Sequence, residues 1–220
     1  MTALFDIRSL DNFEKLRVNG IVTFAVYVDV IRHLCKTNLT TGSLHPDSVI
    51  CMAKLCELAV QHCDVSGQAI PEIHRFVQAV SDLQECSVYL AAISTLLRYE
   101  LQNQLISNES LARLLEGFDA SDLDREELES VSKILPLLPS NYQSALENTL
   151  RSAIIDYWQN SIEEEIVERD ILGDLFDYED TSRAERLMKE ELGRILDDYG
   201  IGFTQSDHEE ILRYFDVGDI

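Results

Sequence analysis

The chain has 220 residues, 45% of them hydrophobic and 26% charged, with 40 Asp and Glu against 18 Lys and Arg for a net charge of −22. That length and apolar content support a packed core and argue against a disordered acidic polymer. The charge argues against direct binding to nucleic acid or to an anionic membrane surface. The acidity is uneven: residues 1–110 carry a net −4 and residues 111–220 a net −18.

Four prolines and nine glycines leave long uninterrupted segments, and apolar residues recur at three and four rather than at two. The expected fold is all-α, an irregular multi-helix bundle or stacked helical hairpins of about nine to eleven helices. A short helix is expected after an Asp11 cap, ending at Asn19 and Gly20. Residues 21–36 alternate as a strand would at Val22, Phe24, Val26, Val28 and Val30, yet Ile21, Phe24, Ala25, Val28, Ile31 and Cys35 form a helical stripe. Helix is the better reading, because a lone strand leaves its backbone donors unpaired. A loop over 37–45 then leads to Pro46, a favoured first helical residue, and a helix to Cys63.

After a second loop, 64–70, Pro71 opens a helical stretch to about Leu105, with a division near 81–86. Its later part (Val88, Leu90, Ala91, Ala92, Ile93, Leu96, Leu97) is apolar on nearly all sides and reads as the central core helix. Asn108 is expected to cap a short helix ending near Gly117, and the run Asp119, Ser121, Asp122, Asp124 signals the next start. Pro136 and Pro139 close that helix. The segment 135–140 is the expected boundary between an N-terminal packing domain, 1–135, and an acidic C-terminal subdomain, 140–220, the other reading being one continuous domain. From Asn141 the pattern is helix after helix. One starts at Asp180 or Thr181 with the stripe Ala184, Leu187, Met188, Leu192, Ile195, Leu196 and Tyr199; Gly200 with Ile201 suggests a left-handed cap, and Thr204 with Asp207 a capping box before a last helix to Phe215.

The least ordinary feature is the stretch 156–180, where Asp156, Glu163, Glu164, Glu165, Glu168, Asp170, Asp174, Asp177, Glu179 and Asp180 face a single base, Arg169. Glu164 with Glu168 and Asp170 with Asp174 lie four apart, a spacing at which like charges on a helix repel. Elsewhere in this half the acids precede bases by four, as in Glu129–Lys133, Glu147–Arg151, Glu165–Arg169, Glu185–Lys189, Glu190–Arg194 and Glu209–Arg213. Those read as solvated helix faces. The block itself is read as an outward negative face, with Trp158, Ile162, Ile166, Ile171 and Leu175 turned to a core. Its expected role is to dock a basic protein, the stricter version being DNA mimicry, in which carboxylates replace phosphates and compete for a DNA-binding protein. Asp156, Glu163, Glu164, Glu168, Asp170, Asp174, Asp177, Glu179 and Asp180 are the expected partner-binding residues.

Other chemistries fare less well. Cys35, Cys51, Cys56, Cys63 and Cys86 read as free buried thiols, and His62–Cys63 with Cys56 matches no metal-ligand spacing. Calcium loops starting at Asp119 or Asp174 lack glycine at the sixth position, and one from Asp216 would need an oxygen ligand at Gly218. No cofactor or metal is expected. For an enzyme, His74 or His208 beside carboxylates would be the raw material, but no nucleophile motif accompanies them. A third class is a structural subunit of an oligomer, built on Ile134, Leu137, Leu138 and Tyr142 or on Tyr157 with Trp158. The longest apolar stretch, 21–28, stops at Asp29, short of a membrane span, and residues 1–10 lack a basic region followed by an apolar one. A cytoplasmic location without membrane contact is therefore expected.

Overall fold

The computed structural model of the chain describes residues 24–39, 46–63, 71–169 and 192–207, together with 15, 19, 190 and 209. Among the described residues the chain is helical throughout, with no strand, as the periodicity predicts. The α-helices are α1 (Phe24–Leu39), α2 (Pro46–Cys63), α3 (Pro71–Ser81), α4 (Leu90–Gln102), α5 (Asn108–Leu115), α6 (Arg125–Ser132) and α7 (Ser140–Arg169). Short 3-10 turns, Cys86–Tyr89 and Leu135–Leu137, precede α4 and α7. Two compact units result, one from residues 1–119 and 124–143, the other from 120–123 and 144–220. The change of unit along α7 comes after Gln143, just past the two prolines.

In the first unit the ambiguous segment is helical from Phe24, where its description begins. Ile31 of the helical stripe is buried, while Val26 of the strand-like alternation stands exposed. The helix runs on to Leu39, past the loop start expected at Thr37, since Thr37, Asn38 and Leu39 include no breaker. α1 packs on α2 and α3, and α2 packs on α4. Each helix contributes a stripe at helical spacing: Val49, Met52, Cys56 and Ala59 from α2; Ile73, Phe76, Val77 and Val80 from α3; Ile93, Leu96 and Leu97 from α4. These stripes form the core.

The breaks have local causes. At the end of α3 the Ser81 hydroxyl donates to the Gln78 carbonyl (2.8 Å), competing with the helix's own bonds, and Glu85 adopts a left-handed conformation (φ 57°) that redirects the chain. α4 closes on a second left-handed residue, Gln104 (φ 55°), whose turn lets Leu105 N–H donate to the Glu100 carbonyl (2.9 Å) and Gln104 N–H to Leu101 (3.2 Å). That is the helix-terminating arrangement glycine usually serves. α5 is capped by Ser107, whose hydroxyl accepts from Ser110 N–H (3.1 Å), with Asn108 the first helical residue rather than the cap. α6 starts with a complete capping box: Asp124 accepts from Glu127 N–H (2.9 Å) and Glu127 accepts from Asp124 N–H (3.2 Å).

In the second unit, Leu146, Leu150, Ala153, Ile154 and Ile155 of α7 are buried, as are Leu192 and Leu196 of the helical stretch 192–198. Gly200 takes the left-handed conformation (φ 72°), Ile201 N–H donates to the Leu196 carbonyl (2.8 Å), and the Ile201 side chain is fully buried. The expected cap with its hydrophobic contact is present. The Thr204–Asp207 box is also present: Thr204 N–H donates to Asp207 Oδ2 (2.6 Å) and Asp207 N–H to Thr204 Oγ1 (3.4 Å). The helices expected from Asp11, from Asp180 or Thr181 through 189, and from 210 to 215 lie outside the described residues, as does the loop 64–70.

Candidate functional site

Of the expected partner-binding residues, Asp156 is exposed on α7. Glu163, Glu164 and Glu168, with Glu165, fall on the same unbroken helix and are described in backbone only. Asp170, Asp174, Asp177, Glu179 and Asp180 lie outside the described residues, as do Ile171 and Leu175. A helix turns about 100° per residue, so positions 156, 163, 164, 165 and 168 occupy an arc of about 200°. Positions 158, 162 and 166 fall in the remaining sector with Ile155, which is buried. Leu146 and Leu150, both buried, each precede a glutamate by eighteen residues, five full turns, so the lines that meet the core at 146 and 150 carry Glu164 and Glu168 further along.

Arg151, the base on α7 whose side chain is described, is turned to other work. Arg151 is 13% exposed and donates to Asp207 Oδ2 (2.6 Å), to the Gly202 carbonyl (2.8 Å) and to Glu147 (3.0 Å), so one guanidinium ties α7 to the turn before residues 205–207. Asp207 is 1% exposed, and its carboxylate is satisfied by that arginine and by both Thr204 donors. The expected Glu147–Arg151 pair is therefore real, but half of a larger buried cluster. Asp122, Asp156, Asp197 and Asp198 of this unit are exposed and form no ion pair with any described residue. In the first unit the expected Glu129–Lys133 pair is present at 2.8 Å, and Lys133 holds the Glu129 carboxyl below the usual carboxylate range. Side chains needed for Glu165–Arg169, Glu185–Lys189 and Glu209–Arg213 are outside the description.

Two further clusters lie in the first unit. His74 on α3 meets Glu100 on α4, Nδ1 to Oε2 at 2.7 Å; Glu100 is wholly buried, and burial holds its carboxyl above the usual range despite the hydrogen bond and charge of His74, which act the other way. The sequence singles out His74 but not its partner. The signal was available: Glu100 continues the buried series Ile93, Leu96, Leu97 at helical spacing, where a carboxylate needs a reason. The second cluster is an open groove of about 420 Å³ between the end of α3 and α5, lined by Asp82, Glu85, Cys86, Ser87, Arg113 and Glu116 among others. Arg113 there bridges Asp82 (2.9 Å) and Glu109 (2.6 Å). Burial pushes the Cys86 thiol up, and Cys86 donates to the Arg113 carbonyl (3.2 Å), a neutral and unreactive setting.

Cys51, Cys56 and Cys86 are buried and joined in no disulfide, as expected; the side chains of Cys35, His62 and Cys63 are outside the description, and so is His208. No group of three or more His, Cys, Asp and Glu able to hold a metal ion occurs among the described residues. No helix among them is long and apolar enough to cross a membrane. Ile134 and Leu138 are buried within their own unit, and Tyr157 is partly exposed. Comparison with protein-family models, curated proteins and solved structures finds no match.

Proposed function

We propose that this chain is a non-catalytic interaction module whose acidic C-terminal half docks a basic protein. The observation that carries the reading is the inward commitment of Arg151 to Asp207, beside which Asp122, Asp156, Asp197 and Asp198 of the same unit are exposed and form no ion pair among the described residues. Helical geometry adds to it. An apolar cover over the Leu146 and Leu150 lines that ran on past residue 164 would trap the carboxylates of Glu164 and Glu168 in a low dielectric, at a cost of several kcal/mol each. From there the helix suits water or a cationic surface. The arc of five acids raises the local concentration of a lysine- or arginine-rich partner and speeds its approach. A cytoplasmic setting belongs to the same proposal.

The test neutralises charge in one place at a time. A variant carrying Glu163→Gln, Glu164→Gln, Glu165→Gln and Glu168→Gln is compared with a control carrying Asp29→Asn, Asp82→Asn, Glu85→Gln and Glu116→Gln, the same net change in the first unit. Titrated with a lysine-rich peptide at low salt, the α7 variant loses about 30-fold in affinity, about 0.5 kcal/mol per charge, and the control less than about threefold. Equal losses would show a diffuse field rather than a docking surface. Displacement of the peptide from the chain by a DNA-binding protein but not by other basic proteins would narrow the partner to the mimicry class.

A further inference from the structure

We propose that His74 and Glu100 form a neutral, proton-holding pair that locks α3 to α4 and that loosens when its proton is lost, making the first unit pH-sensitive. The Glu100 side chain is fully buried, its Oε2 is 2.7 Å from His74 Nδ1, and its Oε1 has no hydrogen-bond partner. A bare carboxylate oxygen so placed carries a larger desolvation penalty than the carbonyl oxygen of a neutral acid. The neutral form, with Oε2–H donating to an unprotonated Nδ1, keeps the observed contact and leaves only a carbonyl unpaired.

Both helix ends reinforce that assignment. Glu100 lies in the last turn of α4, where the unpaired carbonyls are negative, and His74 closes the first turn of α3, where the unpaired amides are positive. Transfer of the proton to His74 would place each charge at the wrong pole. Other charged groups do not intervene. On α1, Arg32 is held by Glu72 (2.9 Å) and His33 is exposed; on α2, Glu57 accepts from Thr95 (3.2 Å), Lys54 is exposed, and Cys51 and Cys56 are buried thiols. α5 brings Arg113 and Glu109, paired with each other, and Arg75 on α3 and Arg98 on α4 are exposed. α6 brings Glu126 and Glu129 with Arg125 at the surface. Burial and His74 alone act on the proton of Glu100.

The sign follows from linkage. Glu100 holds its proton more tightly folded than unfolded, so its own contribution to stability is complete below the ordinary carboxylate range and is lost as pH rises through the raised folded value. His74 is 38% exposed, which gives water a path to the pair.

The test follows unfolding by denaturant from pH 5 to 9 for the wild type and for Glu100→Gln, whose amide donates to His74 Nδ1 without a titrating proton. Relative to Glu100→Gln, the unfolding constant of the wild type is expected to rise by up to about tenfold per pH unit over part of that range, and the variant to be the more stable at pH 9. Parallel pH profiles would overturn the proposal. The wild-type protein alone supplies a second readout if the variant fails to fold: just above the ordinary carboxylate range the Glu100 side-chain carbon shift is still that of a neutral acid. A carboxylate shift there would equally overturn it.

Discussion

Arg151→Met is expected to destabilise the second unit by about 3 to 5 kcal/mol, read as a fall in the denaturant midpoint without change of slope. The substitution preserves much of the buried stem but leaves the Asp207 carboxylate, 1% exposed, without its counter-charge and the Gly202 carbonyl without its donor. Removing one member of a buried pair is far worse than removing both, because the survivor stays desolvated and uncompensated. Arg151→Met combined with Asp207→Leu is therefore expected to be more stable than Arg151→Met alone, even though it also gives up the Thr204 cap, a loss of about 1 kcal/mol. A double variant as unstable as the sum of the singles would mean that the two groups act independently.

Phe76→Ala is the second large effect, a loss of about 3 to 5 kcal/mol from the first unit. Phe76 is the largest fully buried side chain among the described residues and sits in the α3 stripe between Ile73 and Val80, with α1, α4 and α5 packed on that helix. Truncation removes the ring's transfer energy and leaves a cavity that three packed helices cannot close. Phe76→Leu, which refills most of the space, recovers most of the stability. Thermal or denaturant unfolding reads both. A loss under about 1 kcal/mol for Phe76→Ala would show that α3 can collapse inward and is not clamped.

What was legible in the sequence is mostly what is decided within a few residues. Asp124 with Glu127, Gly200 with Ile201 and Thr204 with Asp207 are caps whose partners lie one helical turn away, and the helical stripes of α2 to α4 repeat at fixed spacing. Residues 21–36 were settled by exclusion, since a strand would have had no partner, and the helix observed there follows the 3.6-residue stripe rather than the valine alternation. The cap of α5 shows the limit of that method: Ser107 and Asn108 are both good capping residues, and only the Ser110 N–H contact chooses between them.

Contacts across the chain were not legible. Glu100 meets His74 over 26 residues, and Arg151 meets Asp207 over 56. Reading Arg151 only as the i+4 partner of Glu147 gives it a surface role and misses that it is drawn inside, which changes the charge left on the outside. The acidic block is a mixed case. Its helix is present as far as Arg169, and the rotation of 100° per residue spreads the positions of its first five acids over a broad arc rather than a narrow line.

The docking proposal is tested most directly by the salt dependence of binding to a lysine-rich peptide. An electrostatic surface of this density predicts that affinity falls by about two orders of magnitude between about 50 and 500 mM monovalent salt, as screening shortens the reach of each exposed carboxylate. An affinity unchanged over that range would contradict it.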